Sequence, residues 1–230
     1  MEFIITTIIT VVITVILKFI FDYNMKILKN IGKDEELDEF AKKYPSNIEM
    51  CKSYLKMLGN EKVKIEENKD SEASLYIAVT DKISIANISN TYTRIQTIAH
   101  ECLHSIQDRK MLMFNFVFSN IYIIYFLGIC VLGILNLLPN KMLFLNIFLI
   151  FSFAYYIVRA YLENDAMIKA RYLAKEYIEK NNYSTEQEGS KLVEGFDKIN
   201  RIGIKYINYN LFLGIVIKLI VFYIICIIRW

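Results

Sequence analysis

Apolar and polar positions follow one another along this chain in long blocks. Phe3–Phe21 is interrupted only by Lys18, Met111–Leu138 and Met142–Val158 carry no charge, and Leu211–Ile228 carries Lys218 alone. A helix needs about 20 apolar residues to cross a bilayer core. The third block is at the short end, and Tyr155, Tyr156 and Tyr161 extend it toward an interface, where tyrosine is favoured. Core helices of a soluble fold would give similar runs, but four of them in 230 residues leave too little polar chain to cover them. The pattern predicts membrane spans at 3–21, 111–138, 142–160 and 211–228. The first has the character of a signal anchor and not of a cleaved signal peptide, because Met1-Glu2-Phe3 is acidic and no small-residue cleavage site follows.

Two polar segments, 22–110 and 161–210, separate these spans. Every Lys and Arg except Lys18, Lys141, Lys218 and Arg229 falls in or directly beside them. Lys26, Lys29, Arg109, Lys110, Arg159, Arg201 and Lys205 flank the spans on that one side, which the positive-inside rule places in the cytoplasm. Both termini are then outside, and the turn Pro139-Asn140-Lys141 joins the second and third spans as a hairpin. Lys18 and Lys218 lie within snorkelling reach of the inner interface.

Periodicity changes inside the polar segments. Asp34–Met57 has a helical stripe of Leu37, Phe40, Ala41 and Tyr44. Lys62–Glu66 and Leu75–Val79 read as strands, and Thr80-Asp81-Lys82 as a turn into Ile83–Ile88, with Ile83, Ile85 and Ile88 toward the core. A helix capped by Asn90, Thr91 or Thr93 is expected to run to about Lys110. Helices are also expected over Ala160–Lys180 and Ser190–Tyr206, with Asn181–Ser190 as the loop. An open edge on the Leu75–Ile88 hairpin, which precedes the helix running to Lys110, would suit an extended peptide.

Composition narrows the function classes. A net charge of +3 gives no case for nucleic-acid binding, and 8 Gly and 2 Pro exclude collagen-like or Pro-rich disordered chains. The four cysteines form no CxxC pair; Cys130 and Cys226 lie in apolar runs, and Cys51 and Cys102 lie in the cytoplasmic segment, where thiols stay reduced. No span carries paired charges and no repeat is visible, which argues against a transporter.

The chain has 2 histidines, and both belong to His100-Glu101-Cys102-Leu103-His104. On a helix, positions i and i+4 share a face, so both imidazoles reach one metal ion. Glu101 lies about 100° around the helix from His100, aimed at water beside the metal. Zinc acidifies water and polarises a carbonyl, while such a glutamate carries the proton to the leaving amine. Ile95, Ile98, Ala99, Cys102 and Ile106 give the helix an apolar stripe. With no histidine left, the third ligand must be a carboxylate or a thiolate. Glu163 is the best placed, because the hairpin of spans returns the chain to the face it left just after His104. Asp165, about 200° further around the helix, is assigned to orienting a ligand histidine by hydrogen bond. The oxyanion donor is open among Arg171, Tyr172, Tyr206 and Tyr209.

Tyr76-Ile-Ala-Val-Thr-Asp-Lys-Ile-Ser-Ile, Ile98-Ala-His-Glu-Cys-Leu-His-Ser-Ile-Gln107 and Glu163-Asn-Asp-Ala166 together resemble the YugP-like family of bacterial membrane neutral zinc metallopeptidases, and more distantly the HtpX and prenyl-protein-protease type. The resemblance implies a mostly α membrane protein with four transmembrane helices and a cytoplasmic α+β, zincin-like (gluzincin) catalytic region. It implies one Zn2+ on His100, His104 and Glu163, with Glu101 as catalytic base. Two positions depart from the family pattern: Leu103 stands where glycine is usual and Ser105 where alanine is usual. The expected activity is a zinc endopeptidase acting on membrane-associated proteins or peptides. The alternative is a metal-binding membrane scaffold that has lost catalysis, for which Leu103 is the sequence support. A lipid bilayer and a protein or peptide substrate are the expected partners.

Overall fold

The computed structural model describes residues 2–20, 27, 30, 32–71 and 73–228. Phe21 at the end of the first expected span, Lys26 and Lys29 beside it, and the tail Arg229-Trp230 lie outside the described residues. The elements are α1 (Glu2–Ile20), α2 (Glu35–Ala41), α3 (Asn47–Met57), β1 (Lys64–Glu67), β2 (Leu75–Ile77), β3 (Lys82–Ile85), α4 (Thr93–His104), α5 (Arg109–Ile134), α6 (Lys141–Asn181) and α7 (Glu186–Ile228).

Among the described residues, three helices are long and apolar enough to cross a membrane: Arg109–Ile134, Lys141–Asn181 and Glu186–Ile227. Near the first expected span, the apolar helix Ile8–Ile20 falls in a shorter class. The 41 residues of α6 and 43 of α7 are each about twice what a bilayer core requires. Expected span and expected polar helix are therefore one continuous element in both cases. No proline stands at either join, and in α6 the Ala, Leu, Lys and Glu content beyond it favours helix.

The described residues of Met1–Tyr23, Phe114–Tyr161 and Lys205–Trp230 form one compact unit, and those of Asn24–Met113 and Leu162–Ile204 form another. In the first unit, α5 and the early part of α6 run antiparallel. Tyr122 stacks on Phe148 at 5.4 Å and on Tyr155 at 4.9 Å, and the Tyr125 hydroxyl donates to the Phe144 carbonyl at 3.0 Å. Gly133 marks a close approach of α5 and α7, since a Cβ there would lie 2.8 Å from Ile225 Cγ2. Lys218 donates back to the Gly214 carbonyl at 3.3 Å and sits over the Tyr122 ring at 5.4 Å.

The second unit packs α2–α4 and the polar parts of α6 and α7 around a small sheet of order β1-β3-β2. β3 is central, parallel to β1 and antiparallel to β2, with Ile83 opposite Ile65 and Tyr76. Ile83 and Ile85 are fully buried, and Ile88 is partly buried against the same core. The strands are shorter than expected: β2 stops at Ile77, and the turn covers residues 78–81, with Asp81 at φ 49° taking the Tyr76 hydroxyl on its carboxylate at 2.8 Å. The single helix expected over Asp34–Met57 is two. Pro45 interrupts it, and Ser46 and Glu49 form a capping box that starts α3 afresh. Ala166, Ala170 and Ala174 put a small-residue stripe of α6 into this core.

α4 departs from expectation at both ends. Its side-chain cap is absent: Thr91 and Thr93 hydroxyls face each other at 3.0 Å, and the Tyr92 N–H donates instead to the Asp38 carboxylate at 2.7 Å. The helix ends at His104 and not near Lys110. Ser105 is the reason: its hydroxyl donates to the Cys102 carbonyl, and Asn60 donates to the Ser105 carbonyl at 3.0 Å. Asp108 then starts α5 by accepting the Lys110 N–H at 2.8 Å.

Candidate metal centre

The site is built inside the second unit by α4, α6 and β2. One turn of α4 separates His100 from His104, so the two rings stand together at a centroid distance of 4.6 Å, nearly perpendicular at 89°. Their Nε2 atoms are 3.0 Å apart. Glu163, from α6, places Oε2 at 3.5 Å from His100 Nε2 and 3.7 Å from His104 Nε2. One donor atom from each of the three residues lies within 4.8 Å of the others.

These distances test the fit of a cation. Ligands about 2.0–2.2 Å from a tetrahedral zinc sit roughly 3.3–3.5 Å from one another. The three edges of this triangle, at 3.0, 3.5 and 3.7 Å, bracket that spacing. The charge balance points the same way. Burial alone would disfavour a charged His104, but the Glu163 hydrogen bond and the Glu101 and Glu163 charges outweigh it and raise its pKa. The pocket favours an added positive charge. His100, His104 and Glu163 can therefore hold a metal ion.

Glu101 is 7% exposed and stands apart from the triangle. Burial pushes its carboxyl pKa up; the neighbouring imidazoles and the Tyr76 backbone N–H, which donates to it, pull the other way without prevailing. Asp165 does not touch either histidine. It accepts from Gln107 Nε2 at 3.1 Å and pairs with Lys169 at 2.6 Å. Burial acts against its charge, yet these two hydrogen bonds hold its pKa below the usual carboxylate range.

Gln107 carried no role in the sequence reading. Its oxygen faces His104 Nδ1 at 2.8 Å. The only sequence signal for it is its place three residues after His104, which becomes contact only because α4 ends early. By contrast, His100 Nδ1 is buried with no hydrogen-bond partner among the described residues. Of the oxyanion candidates, Arg171 is paired with Asp197 and lies over Tyr172 at 5.2 Å, while Tyr206 and Tyr209 belong to the other unit. Cys102 is turned into the core, 3.5 Å from Cys51, and is no part of the cluster. The unusual Leu103 is core as well, at 5% exposure, and Ser105 is the helix stop described above.

No family model, no curated protein and no solved structure matches this chain.

Proposed function

We propose that the chain is a zinc-dependent endopeptidase of the membrane, hydrolysing peptide bonds of membrane-associated proteins or peptides at the cytoplasmic face. The observation that carries this reading is the triangle of His100, His104 and Glu163, with the buried Glu101 next to it on α4. His100, His104 and Glu163 would hold the ion. Zinc bound there supplies Lewis acidity toward a carbonyl and makes water a nucleophile near neutral pH. Glu101 has the chemistry of the proton carrier: a carboxylate beside the attacking water can take its proton and give it to the departing amine. β2 pairs with β3 alone among the described strands, and its other edge is where an extended peptide would add.

The membrane part of the proposal rests on the three apolar helices together with α1 as a fourth span, and on the basic residues beside them for a cytoplasmic site with both termini outside. The ordered motifs that resemble the YugP-like metallopeptidases support the same reading. One observation favours a metal-binding scaffold without catalysis instead: Glu101 is almost wholly covered and already tied to the Tyr76 N–H.

Metal analysis and proteolysis on the purified full chain separate these readings. The wild type should carry about one zinc and cleave a casein-type substrate, with Glu163→Ala losing the metal. Glu101→Gln should keep the zinc and lose activity by about 100-fold or more. Undiminished cleavage by zinc-free protein would end the zinc-dependent reading, and zinc-loaded protein that cleaves nothing would leave the scaffold.

A further inference from the structure

We infer that Gln107 is a positioning residue: it fixes which nitrogen of His104 faces the metal and ties that choice to the helix that carries Glu163. The inference rests on the metal reading above.

The Gln107 amide has one end that only donates and one that only accepts. Its Nε2 lies 2.8 Å from the Leu162 carbonyl oxygen and 3.1 Å from Asp165 Oδ2. Both of those oxygens accept, so the NH2 end must face them, and the amide cannot be flipped without setting oxygen against oxygen. Oε1 is thereby turned to His104 Nδ1 at 2.8 Å. An oxygen that only accepts requires a proton on that nitrogen. A neutral His104 then carries its hydrogen on Nδ1 and leaves Nε2 bare, and Nε2 is the atom that faces His100 Nε2 and Glu163 Oε2. A ligand imidazole needs this tautomer, and an oriented acceptor on its far nitrogen supplies it.

The same amide spans two elements. Gln107 follows α4, whereas Leu162 and Asp165 flank Glu163 on α6, 55 and 58 positions further along the chain. One side chain thus sets the His104 ring and holds the stretch of α6 that presents the third donor. Lys169 holds Asp165 from the far side at 2.6 Å. His100, whose Nδ1 has no hydrogen-bond partner among the described residues, lacks any such support there. The two ligand histidines are therefore unequally held, and His104 is the one whose loss of orientation can be produced by a mutation that touches no donor atom.

Zinc affinity by chelator competition on the purified full chain tests this. Gln107→Met keeps the length of the side chain and removes both ends of the relay, and should weaken zinc by about 10–100-fold. Gln107→Glu still offers His104 an acceptor but sets a carboxylate oxygen against the Leu162 carbonyl oxygen, so it should recover only part of that loss. A glutamine that merely glues two helices would lower thermal stability in Gln107→Met and leave zinc affinity within about twofold of wild type, which overturns the inference. The second readout needs no variant. With 2 histidines in the chain, the ring-nitrogen spectrum of histidine-15N protein is sparse, and it should contain a ring with a hydrogen-bonded proton on Nδ1. No ring with that signature overturns the inference even if Gln107→Met fails to fold. A wild type that takes up no zinc removes the metal reading and this inference together; a wild type that binds while Gln107→Met binds equally removes the inference alone.

Discussion

The two units invert the usual distribution of polar groups in opposite ways. The unit containing α2–α4 and the sheet hides charge: Arg94 is 4% exposed and donates to Pro45 O at 2.8 Å, Ala41 O at 2.8 Å, Tyr44 O at 2.9 Å and Asn47 Oδ1 at 3.0 Å. The unit containing α1 and α5 displays oil: Ile124, Ile150 and Phe153 are 69%, 67% and 68% exposed, while its interior is made of aromatic stacks. Most large apolar groups of the first unit are inside, so water around it would cost little. Patches as large as those on the second are covered by something apolar in a working protein. The contrast is between a unit marked by specific buried polar contacts, which holds the candidate metal centre, and a unit marked by its exposed apolar surface.

The largest effect should come from Arg94. Its guanidinium satisfies the carbonyls released where α2 ends and Pro45 prevents continuation. Arg94→Met removes the donor from the Pro45 and Tyr44 carbonyls, each costing about 1–3 kcal/mol, while the Ala41 carbonyl keeps the Tyr44 N–H. Limited proteolysis should then cut the α2–α4 unit at temperatures where the wild type resists, while the apolar helices stay protected. Equal loss of both units would show that they do not differ in what holds them.

A matched pair of truncations sharpens the comparison. Phe196 and Phe148 are both fully buried, the former stacked on Tyr92 at 6.2 Å and the latter on Tyr122 at 5.4 Å. In water, Phe→Ala in a core costs about 3–5 kcal/mol, the sum of lost transfer energy and the cavity. Lipid tails are as apolar as the side chain, so the transfer part is largely missing for a helix pair within a bilayer. Phe196→Ala should accordingly lower the thermal midpoint of its unit more than Phe148→Ala lowers that of the other, measured in the same bicelles. The reverse order would argue that the interior around Phe148 is stabilised by exclusion from water.

How much of this was legible beforehand differs between the units for the same reason. The apolar blocks predicted three of the membrane-length helices directly, because length and absence of charge are read residue by residue. The pairing of His100 with His104 was legible from spacing within one helix, and the approach of Glu163 from the hairpin order of the elements. Gln107 was not, because its contact depends on where α4 stops. That stop is set by Ser105 and by Asn60, which lies 45 residues earlier. The break at Pro45 was readable in principle; the amphipathic stripe across Leu37, Ala41 and Tyr44 masked it. The N-terminus of α4 was misread for a similar reason, since Asp38 supplies from 54 residues away what a local Thr usually provides. Local chemistry is visible in a sequence, whereas a hydrogen bond closed by a distant chain segment becomes visible only with the fold.

The smallest change in stability carries the most direct test of the surface contrast. The chain has one Trp, Trp230, so a Trp230→Phe background is optically silent and one tryptophan can be moved at will. Phe153→Trp and Tyr172→Trp exchange exposed aromatics, 68% and 59% accessible, in the two units. Neither side chain is core, and each variant should stay within about 0.5 kcal/mol of its background. Their fluorescence should nevertheless diverge in reconstituted vesicles. A tryptophan at 153 should emit blue-shifted light and be quenched by lipids brominated along the acyl chain. A tryptophan at 172 should emit at the red end and be quenched by aqueous iodide. If position 153 responds to iodide and ignores brominated lipid, its apolar surface is not covered by acyl chains, and the helices long enough to cross a membrane would need a protein partner to cover them instead.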